Sequence, residues 1–217
     1  MKRGPQRSVS PQAVLDAALE LVDGDGLTMR ALASRVGLTP GALYTYFPDR
    51  GAIMNALADR LLAEADLGLL EDRSKPPHQR IEDFALTLRE VLLRHPATLP
   101  AILGAAFSGP VALRVGESML GVLPDPRACY TVMVYVLGAV ALEAAELTSG
   151  AELTSGGEGR PTGGPPPSET ERIAARRAAF AADPDVFPRT HAAADAIAAY
   201  ISTDQFRWGL RRVLAGL

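Results

Sequence analysis

The chain has 217 residues and a formal net charge of −3, and hydrophobic residues make up 47% of it. This length fits one large domain or two small ones, and the apolar share excludes global disorder. Alanine and leucine supply 36 and 29 residues, whereas aromatic residues make up 6%, which favours an all-helical protein over a sheet protein. The single cysteine, Cys129, excludes a disulfide framework and a thiolate zinc site.

The N-terminus is basic, with Lys2, Arg3 and Arg7 and no acid in the first ten residues. This basic start fits either local binding to an anionic polymer or a disordered, solubilising terminus. No apolar signal region follows it, and the longest apolar run, 131–142, is shorter than the roughly 20 residues of a membrane span. We therefore expect a soluble cytoplasmic protein that makes no membrane contact.

Four helices are predicted in the first seventy residues. Ser10 and Pro11 start the first helix, and Gly24 and Gly26 end it, because serine caps helices and glycine terminates them. Capping threonines open the next two helices, and Asp49 is a plausible cap for the fourth. The second to fourth helices are predicted at 29–36, 40–46 and about 50–70.

A polar linker at residues 71–77 marks the predicted domain boundary. We expect an N-terminal domain over 1–50, a connecting fourth helix, and a second domain over 71–217. Glycine and proline crowd residues 149–167, where the hexamer AELTSG of 145–150 is repeated at 151–156, so this segment is predicted to be a flexible surface loop. Helices of the second domain are predicted at 78–94, 97–106, 110–123, 127–148, 169–182, 189–201 and 204–215.

Residues 27–57, LTMRALASRVGLTPGALYTYFPDRGAIMNAL, carry the most informative pattern. Two short helices with inward Leu32, Val36 and Leu43 are joined by a tight turn, where Gly37 supplies the positive φ that the turn needs. This spacing is typical of a helix-turn-helix, whose second helix enters the DNA major groove. The alternative at this point is a plain helical hairpin.

The continuation TPGALYTYFPDRGAIMNAL resembles the N-terminal domain of the TetR family of bacterial transcriptional regulators, over about residues 10–60. The family has a capped second helix, a glycine turn and a short helix ending in Leu-Tyr-x-x-Phe. The resemblance implies an all-α protein with a three-helix DNA-binding domain and a larger helical domain for ligand binding and dimerisation. The DNA-contacting positions that it implies are Thr28, Arg30, Thr39, Pro40, Gly41, Ala42, Tyr44, Thr45, Tyr46 and Arg50.

The roles of these residues follow from their chemistry. Arg30 can reach a phosphate or a guanine edge, and Arg50 stands where the family usually has a lysine that anchors a phosphate. Tyr44 and Tyr46 offer hydroxyl groups to phosphates, and the alternative for both is aromatic packing. The inward pattern places Tyr46 half-buried, so Tyr44 is the preferred contact.

The second domain resembles the C-terminal domain of the tetracycline-repressor type, in the order of its patterns at 136–147, 187–200 and 206–217. That resemblance implies a homodimer in which helices 127–148 and 204–216 of two subunits pair as a four-helix bundle. The alternative is that these helices form an internal core. Small residues that allow close helix approach are Gly138, Ala139, Ala141 and Gly209.

The chain departs from the tetracycline repressors where they use a histidine for a magnesium–drug chelate. Ile102 stands at about that place, so we carry over neither tetracycline nor magnesium, and we predict no metal or cofactor. A small-molecule effector is instead expected in an apolar pocket. Its candidate lining residues are Phe84, Leu88, Leu92, Leu99, Leu103, Phe107, Met119, Met133 and Tyr135.

No enzyme motif is present: the three histidines lack paired spacing, and the glycines of 150–164 follow a helix and not a strand. We therefore predict a non-enzymatic, ligand-responsive regulator that binds a palindromic double-stranded DNA operator as a homodimer. We predict that it is a repressor, which a small, largely apolar molecule releases from the operator. An activator of transcription is the open alternative. The alternative is a helical adaptor, or a small-molecule-binding protein, without a DNA role.

Overall fold

The computed structural model describes residues 9–23, 26–153 and 166–217, and every regular element in these ranges is helical. The predicted all-α class is therefore confirmed. The N-terminal helices are α1 (Pro11–Asp23), α2 (Met29–Arg35), α3 (Pro40–Leu43) and α4 (Arg50–Glu64). The remaining helices are α5 (Gly68–Glu71), α6 (Pro77–Arg94), α7 (Leu99–Leu103), α8 (Pro110–Val122), α9 (Pro126–Leu153), α10 (Glu169–Ala179), α11 (Pro188–Ala192), α12 (Ala194–Ala198) and α13 (Thr203–Ala215).

Two separate apolar cores form, and α4 contributes to both. Its N-terminal half places Ile53, Met54 and Leu57 in a small core with α1 and α2. Its C-terminal half places Leu61 and Leu62 in a larger core built by α6, α8, α9 and α13. One continuous helix therefore packs into both cores.

A buried ionic cluster also holds the larger core together. The Arg89 guanidinium of α6 donates two hydrogen bonds to the Glu143 carboxylate of α9, both 2.9 Å long. Arg172 of α10 donates a third, of 2.6 Å, to the same carboxylate. Buried charges require such pairing, because an unpaired charge away from water is strongly destabilising. The cluster thereby ties α10 to α9 through Arg172, whose side chain is only 9% exposed.

The fourth helix is shorter than predicted, because it ends at Glu64 and not near residue 70. Ala65 adopts extended backbone with ψ of 136°. The Asp66 side chain then accepts a hydrogen bond of 2.9 Å from the Gly68 amide, just before the short helix α5. The apolar spacing continues through this break, so the pattern of leucines alone does not reveal it.

Other helix ends also differ from the prediction. Helix α3 stops at Leu43, although hydrogen-bonded turns continue to Phe47. The predicted helix 97–106 is a 3₁₀ turn at Pro96–Thr98 followed by α7, and the predicted helix 189–201 is divided into α11 and α12. Helix α10 stops at Ala179.

The predicted loop at 149–167 begins later than expected, since α9 continues through residues 149–153. Residues 154–165, with the last three residues of the second hexamer, lie outside the described part of the chain, as does Gly24. The prediction of a flexible loop there stays a prediction.

Gly209 serves packing within one chain and not the approach of a second subunit. It is buried in α13, where a Cβ would overlap the Tyr135 side chain of α9. The Tyr135 hydroxyl donates a hydrogen bond of 2.9 Å to the Phe206 carbonyl at this crossing. Any larger residue at 209 would therefore disturb the subunit's own core, which corrects its assignment to the dimer face.

Candidate nucleic-acid interface and apolar cavity

Two threonine caps define the surface formed by α2, the turn after it, and α3. The Thr28 hydroxyl accepts a hydrogen bond of 3.1 Å from the Ala31 amide, and the Thr39 hydroxyl accepts one of 3.2 Å from the Ala42 amide. Between them Gly37 has φ of 70°, a conformation that is unstrained only for glycine. The sequence therefore positions both helices through local hydrogen bonds, as the pattern predicted.

The structure brings the ten predicted DNA-contacting residues to one N-terminal region, and most of their side chains face outward. Exposed members are Thr28, Arg30, Thr39, Pro40, Gly41, Tyr44, Thr45 and Arg50, whereas Ala42 and Tyr46 are half-buried. Tyr44 is 49% exposed, which agrees with the predicted outward orientation.

The charged groups of this surface differ in how they are held. Arg30 makes no ion pair or hydrogen bond with the described residues, so its guanidinium is available to a ligand. The Arg50 Nε donates a hydrogen bond of 3.4 Å to the Leu27 carbonyl, which ties the start of α4 to the start of α2. Arg35 pairs with Glu20 at 3.1 Å. Arg30 and Arg50 are thus the cations best placed to meet phosphates.

The outward face of α3 and of the turn after it carries no charge. The side chains of residues 40–46 present methyl, hydroxyl and phenol groups, and the Thr45 hydroxyl donates a hydrogen bond of 2.7 Å to the Ala42 carbonyl. Gly41 has no side chain, and a Cβ built there would have no atom of the chain within 4 Å. The backbone of α3 can therefore approach another molecule closely.

An apolar cavity of about 310 Å³ lies among α4, the loop after α7, α8 and α9. No charged side chain lines it, and its polar groups are the thiol of Cys129 and the hydroxyl of Tyr130. Burial raises the pKa of the Cys129 thiol. The lining residues are Leu62, Phe107, Ala112, Val115, Gly116, Met119, Cys129, Tyr130, Met133, Val134 and Leu137.

The cavity includes three of the nine predicted pocket residues, Phe107, Met119 and Met133. Phe84, Leu88, Leu92 and Leu99 are packed in the larger core instead. Leu103 is exposed, and Tyr135 lines a separate groove beside α13. The lining residues that the prediction missed on α8 and α9 recur at helical spacing, which was the available signal.

A larger, open groove of about 810 Å³ lies between α6 and α13, but its chemistry is different. Charged side chains line it, and the Arg211 guanidinium donates two hydrogen bonds of 2.8 Å to the Glu82 carboxylate across it. These charged walls do not suit an apolar ligand. The smaller cavity is therefore the better candidate for one.

One face of α9 is apolar and uncovered. By length and composition alone, Pro126–Thr148 is apolar enough to cross a membrane, with mean hydropathy 1.7. Only 33% of its most apolar stretch is buried within the chain. Tyr130, Val134, Gly138 and Leu142, which we call the α9 stripe, are all exposed, and Tyr130 is 72% exposed. A Cβ built at Gly138 would have no atom of the chain within 4 Å. The α9 stripe therefore offers space for a close neighbour.

The fold and these surfaces define a two-part helical regulator with an N-terminal helix-turn-helix. Comparison with known families agrees: residues 14–57 match bacterial regulatory proteins of the tetR family, and residues 76–217 match the tetracyclin repressor-like C-terminal domain. The chain belongs to the TetR family of transcriptional regulators, which is not a family of enzymes.

Individual relatives support the same assignment. The HTH-type transcriptional repressor DrrR1 of Streptomyces coeruleorubidus is 28% identical over 152 residues, which cover 63% of this chain and 54% of that repressor. The chain spans about half or less of the length of the curated relatives it matches first.

Among solved structures, a possible TetR family regulator from Streptomyces coelicolor A3(2) is 27% identical, with a TM-score of 0.73 over 95% of this chain and 98% of that one. The structure of BioQ with its natural double-stranded DNA operator is 26% identical, with a TM-score of 0.56 over 67% of this chain and 95% of that one.

Proposed function

We propose that this protein is a ligand-responsive repressor that binds a palindromic DNA operator as a homodimer. A small, largely apolar molecule releases it, and it acts in the cytoplasm, where the operator is. The observation that carries this proposal is the surface formed by α2, α3, the turn after α3 and the start of α4, on which eight of the ten predicted DNA contacts are exposed. Arg30 and Arg50 supply its phosphate-binding cations.

DNA binding is supported by how that surface is built. The short helix α3 enters the major groove, and the exposed Tyr44 and Thr45 that follow it contact phosphates and base edges. Arg50 anchors a phosphate at the start of α4. The similar protein BioQ was solved with a DNA operator, and the similar DrrR1 is named a transcriptional repressor.

Dimerisation is supported by the α9 stripe. A long apolar helix that its own chain leaves mostly uncovered needs a partner surface, because exposed contiguous apolar patches mark interaction sites. Gly138 lies within the stripe with open space around it, so a helix of a second subunit can approach closely. We therefore assign the stripe, together with the outward face of α13, to the subunit interface.

Effector binding is supported by the apolar cavity. Its volume of about 310 Å³ and its uncharged lining suit a compact neutral molecule. Leu62 belongs to α4, so an occupant touches the helix that also carries the DNA-facing Arg50. Occupation then shifts a pre-existing equilibrium between two spacings of the DNA-binding helices.

Selection of binding sequences from random DNA, followed by measurements on single variants, tests the DNA-binding function. Arg50→Ala and Tyr44→Ala each weaken binding to the selected operator while the dimer stays intact. Arg50→Ala also reduces the slope of log affinity against log salt by about one unit, because one phosphate contact is lost.

Arg114→Ala is the matched control, since Arg114 is an exposed arginine on α8. It leaves both the affinity and the salt slope unchanged. Unchanged operator affinity in both the Arg50 and the Tyr44 variants would overturn DNA binding through this surface. Failure of the selection to enrich any sequence would favour an adaptor or small-molecule-binding protein without a DNA role.

A further inference from the structure

Two polar side chains of α4 bind the segment that joins α7 to α8 and the first turn of α8. The Asn55 Oδ1 accepts a hydrogen bond of 2.7 Å from the Ala106 amide. The Asp59 Oδ1 accepts hydrogen bonds of 2.9 and 2.8 Å from the amides of Val111 and Ala112. Asn55 and Asp59 are four residues apart and therefore lie on the same face of the helix. Helix α4 thus forms hydrogen bonds with this part of the chain at two points.

The second of these contacts, made by Asp59, is a helix cap that a different helix supplies. Helix α8 begins at Pro110, and its N-cap residue Gly109 has no side chain to satisfy the first amides. The Asp59 carboxylate satisfies two of them, and its negative charge also suits the positive end of the α8 dipole. A Cβ at Gly109 would overlap this carboxylate, so glycine there makes the contact possible.

Between these two hydrogen-bonded points, Phe107 lies against the apolar cavity in an unusual backbone conformation. Phe107 has φ of 47°, an uncommon conformation for a residue with a side chain. The same residue lines the cavity. Strained backbone persists where its surroundings hold it in place. Here the flanking amides of Ala106 and Val111 are held by α4, and an occupant of the cavity contacts the residue between them.

We propose that Asn55 and Asp59 are positioning residues that transmit occupation of the cavity to the DNA-binding helices. An occupant that displaces Phe107 moves the hydrogen-bonded amides on either side of it. Helix α4 follows, because its Asn55 and Asp59 side chains accept the hydrogen bonds from those amides. The other end of α4 carries Arg50 and packs Ile53 into the small core. This inference rests on the proposed function, and it assigns the regulation to named contacts.

Covalent filling of the cavity tests the inference without a known effector. Cys129 is the chain's one cysteine and lines the cavity, so monobromobimane attaches a compact neutral group there as thiolate displaces bromide. In the unsubstituted protein the adduct weakens operator binding by about tenfold, within the usual range of allosteric coupling. In Asn55→Ala/Asp59→Ala, the ratio of labelled to unlabelled affinity stays near one.

Three further variants separate transmission from general damage. Asp59→Asn keeps an acceptor for the α8 amides and retains most of the labelling effect. Glu64→Gln, which alters an exposed α4 side chain paired with Arg94, retains all of it. Phe107→Gly relieves the positive φ, removes the ring from the cavity, and loses the effect. This last variant also provides the test if the double variant fails to fold by circular dichroism.

The outcomes distinguish this inference from the proposed function. If labelling releases the operator equally in the unsubstituted protein, the double variant and Phe107→Gly, then effector release stands and transmission through Asn55 and Asp59 is overturned. If the adduct forms but changes operator affinity in none of the proteins, the cavity is not a regulatory site, and both proposals fail. Because Tyr130 and Val134 of the α9 stripe also line the cavity, light scattering must show that the labelled protein is still a dimer. Loss of the effect in both variants, with the Glu64→Gln control intact and the labelled protein dimeric, supports the inference.

Discussion

Gly41 lies on the outward face of α3 at a point where the chain itself does not require glycine. An added Cβ meets no atom within 4 Å, and the residue has no positive φ. Gly41→Ala should therefore keep the fold, and it should raise its stability by up to about 1 kcal/mol, since alanine favours helix. We expect operator affinity to fall about tenfold, the size of one lost base contact, because the methyl group keeps α3 from the groove.

Gly121→Ala provides the matched comparison for this substitution. Gly121 is an exposed glycine of α8 whose Cβ would also meet no atom of the chain. Thermal unfolding should show a similar gain for both variants, and only Gly41→Ala should lose operator binding in a fluorescence anisotropy titration. Equal operator affinity for the two variants would show that α3 does not lie against the DNA at this point.

The reactivity of Cys129 gives a prediction that depends on pH. Burial raises the pKa of its thiol, so less of the reactive thiolate is present near neutral pH than in a free cysteine. The rate of alkylation by iodoacetamide, followed by mass spectrometry, should reach its midpoint at a higher pH than that of free cysteine. Unfolding in urea should return the midpoint to the ordinary value. A midpoint at or below the free-cysteine value in the folded protein would contradict the half-buried position of Cys129.

Residues whose role depends on near neighbours in sequence were predictable, and residues that act across the fold were not. Ser10, Thr28 and Thr39 cap helices through amides three residues away, so the sequence pattern alone identifies them. Asp59 caps a helix through amides 52 and 53 residues away, and no local pattern reports such a contact. Gly209 likewise owes its role to a crossing with Tyr135 that spacing does not show.

At the level of elements, periodicity predicted most of the helices and which of their faces turn inward, but it did not predict α5 as a separate helix. It did not predict what each inward face meets. Leu88 of α6 and Met133 of α9 both occupy inward positions, yet Leu88 packs against neighbours and Met133 lines the cavity. A cavity is a gap in three-dimensional packing, so the predicted lining residues divide between the wall of the cavity and the core.

The α9 stripe leads to a prediction for subunit assembly. Gly138→Glu places a charge and a longer side chain in the middle of an apolar face. If that face pairs with a second subunit, the buried charge is unpaired, and its cost exceeds what the contact supplies. Light scattering at micromolar concentration should show a dimer for the unsubstituted protein and a monomer for the variant, with unchanged helical content by circular dichroism.

Gly121→Glu introduces the same change on an exposed part of α8 and should stay dimeric. Position 209 is unsuitable for this test, because a larger residue there disturbs the packing of α13 on α9 within one chain. A monomeric unsubstituted protein, or a dimeric Gly138→Glu variant, would remove the α9 stripe from the interface.

At the scale of the whole molecule, the proposed homodimer would present two DNA-binding surfaces to one duplex at a fixed separation. Each subunit would contribute one α3, and each α4 is packed into the larger core of its own chain. Half-sites in the major groove recur about every 34–36 Å on one side of the duplex. A protein held rigidly by its dimer interface therefore tolerates one half-site spacing and its near neighbours.

Insertion of half a helical turn between the half-sites of the selected operator tests this geometry. About 5 additional base pairs turn the second half-site to the opposite side of the duplex, so only one subunit reads its sequence. We expect affinity to fall roughly hundredfold, because the second contact is no longer intramolecular. The same base pairs inserted outside the palindrome should change little. The Gly138→Glu variant, as a monomer, should bind weakly and be insensitive to either insertion. A dimer that binds the original operator and the one with the inserted half turn equally would show that its two DNA-binding surfaces are not held at a fixed separation.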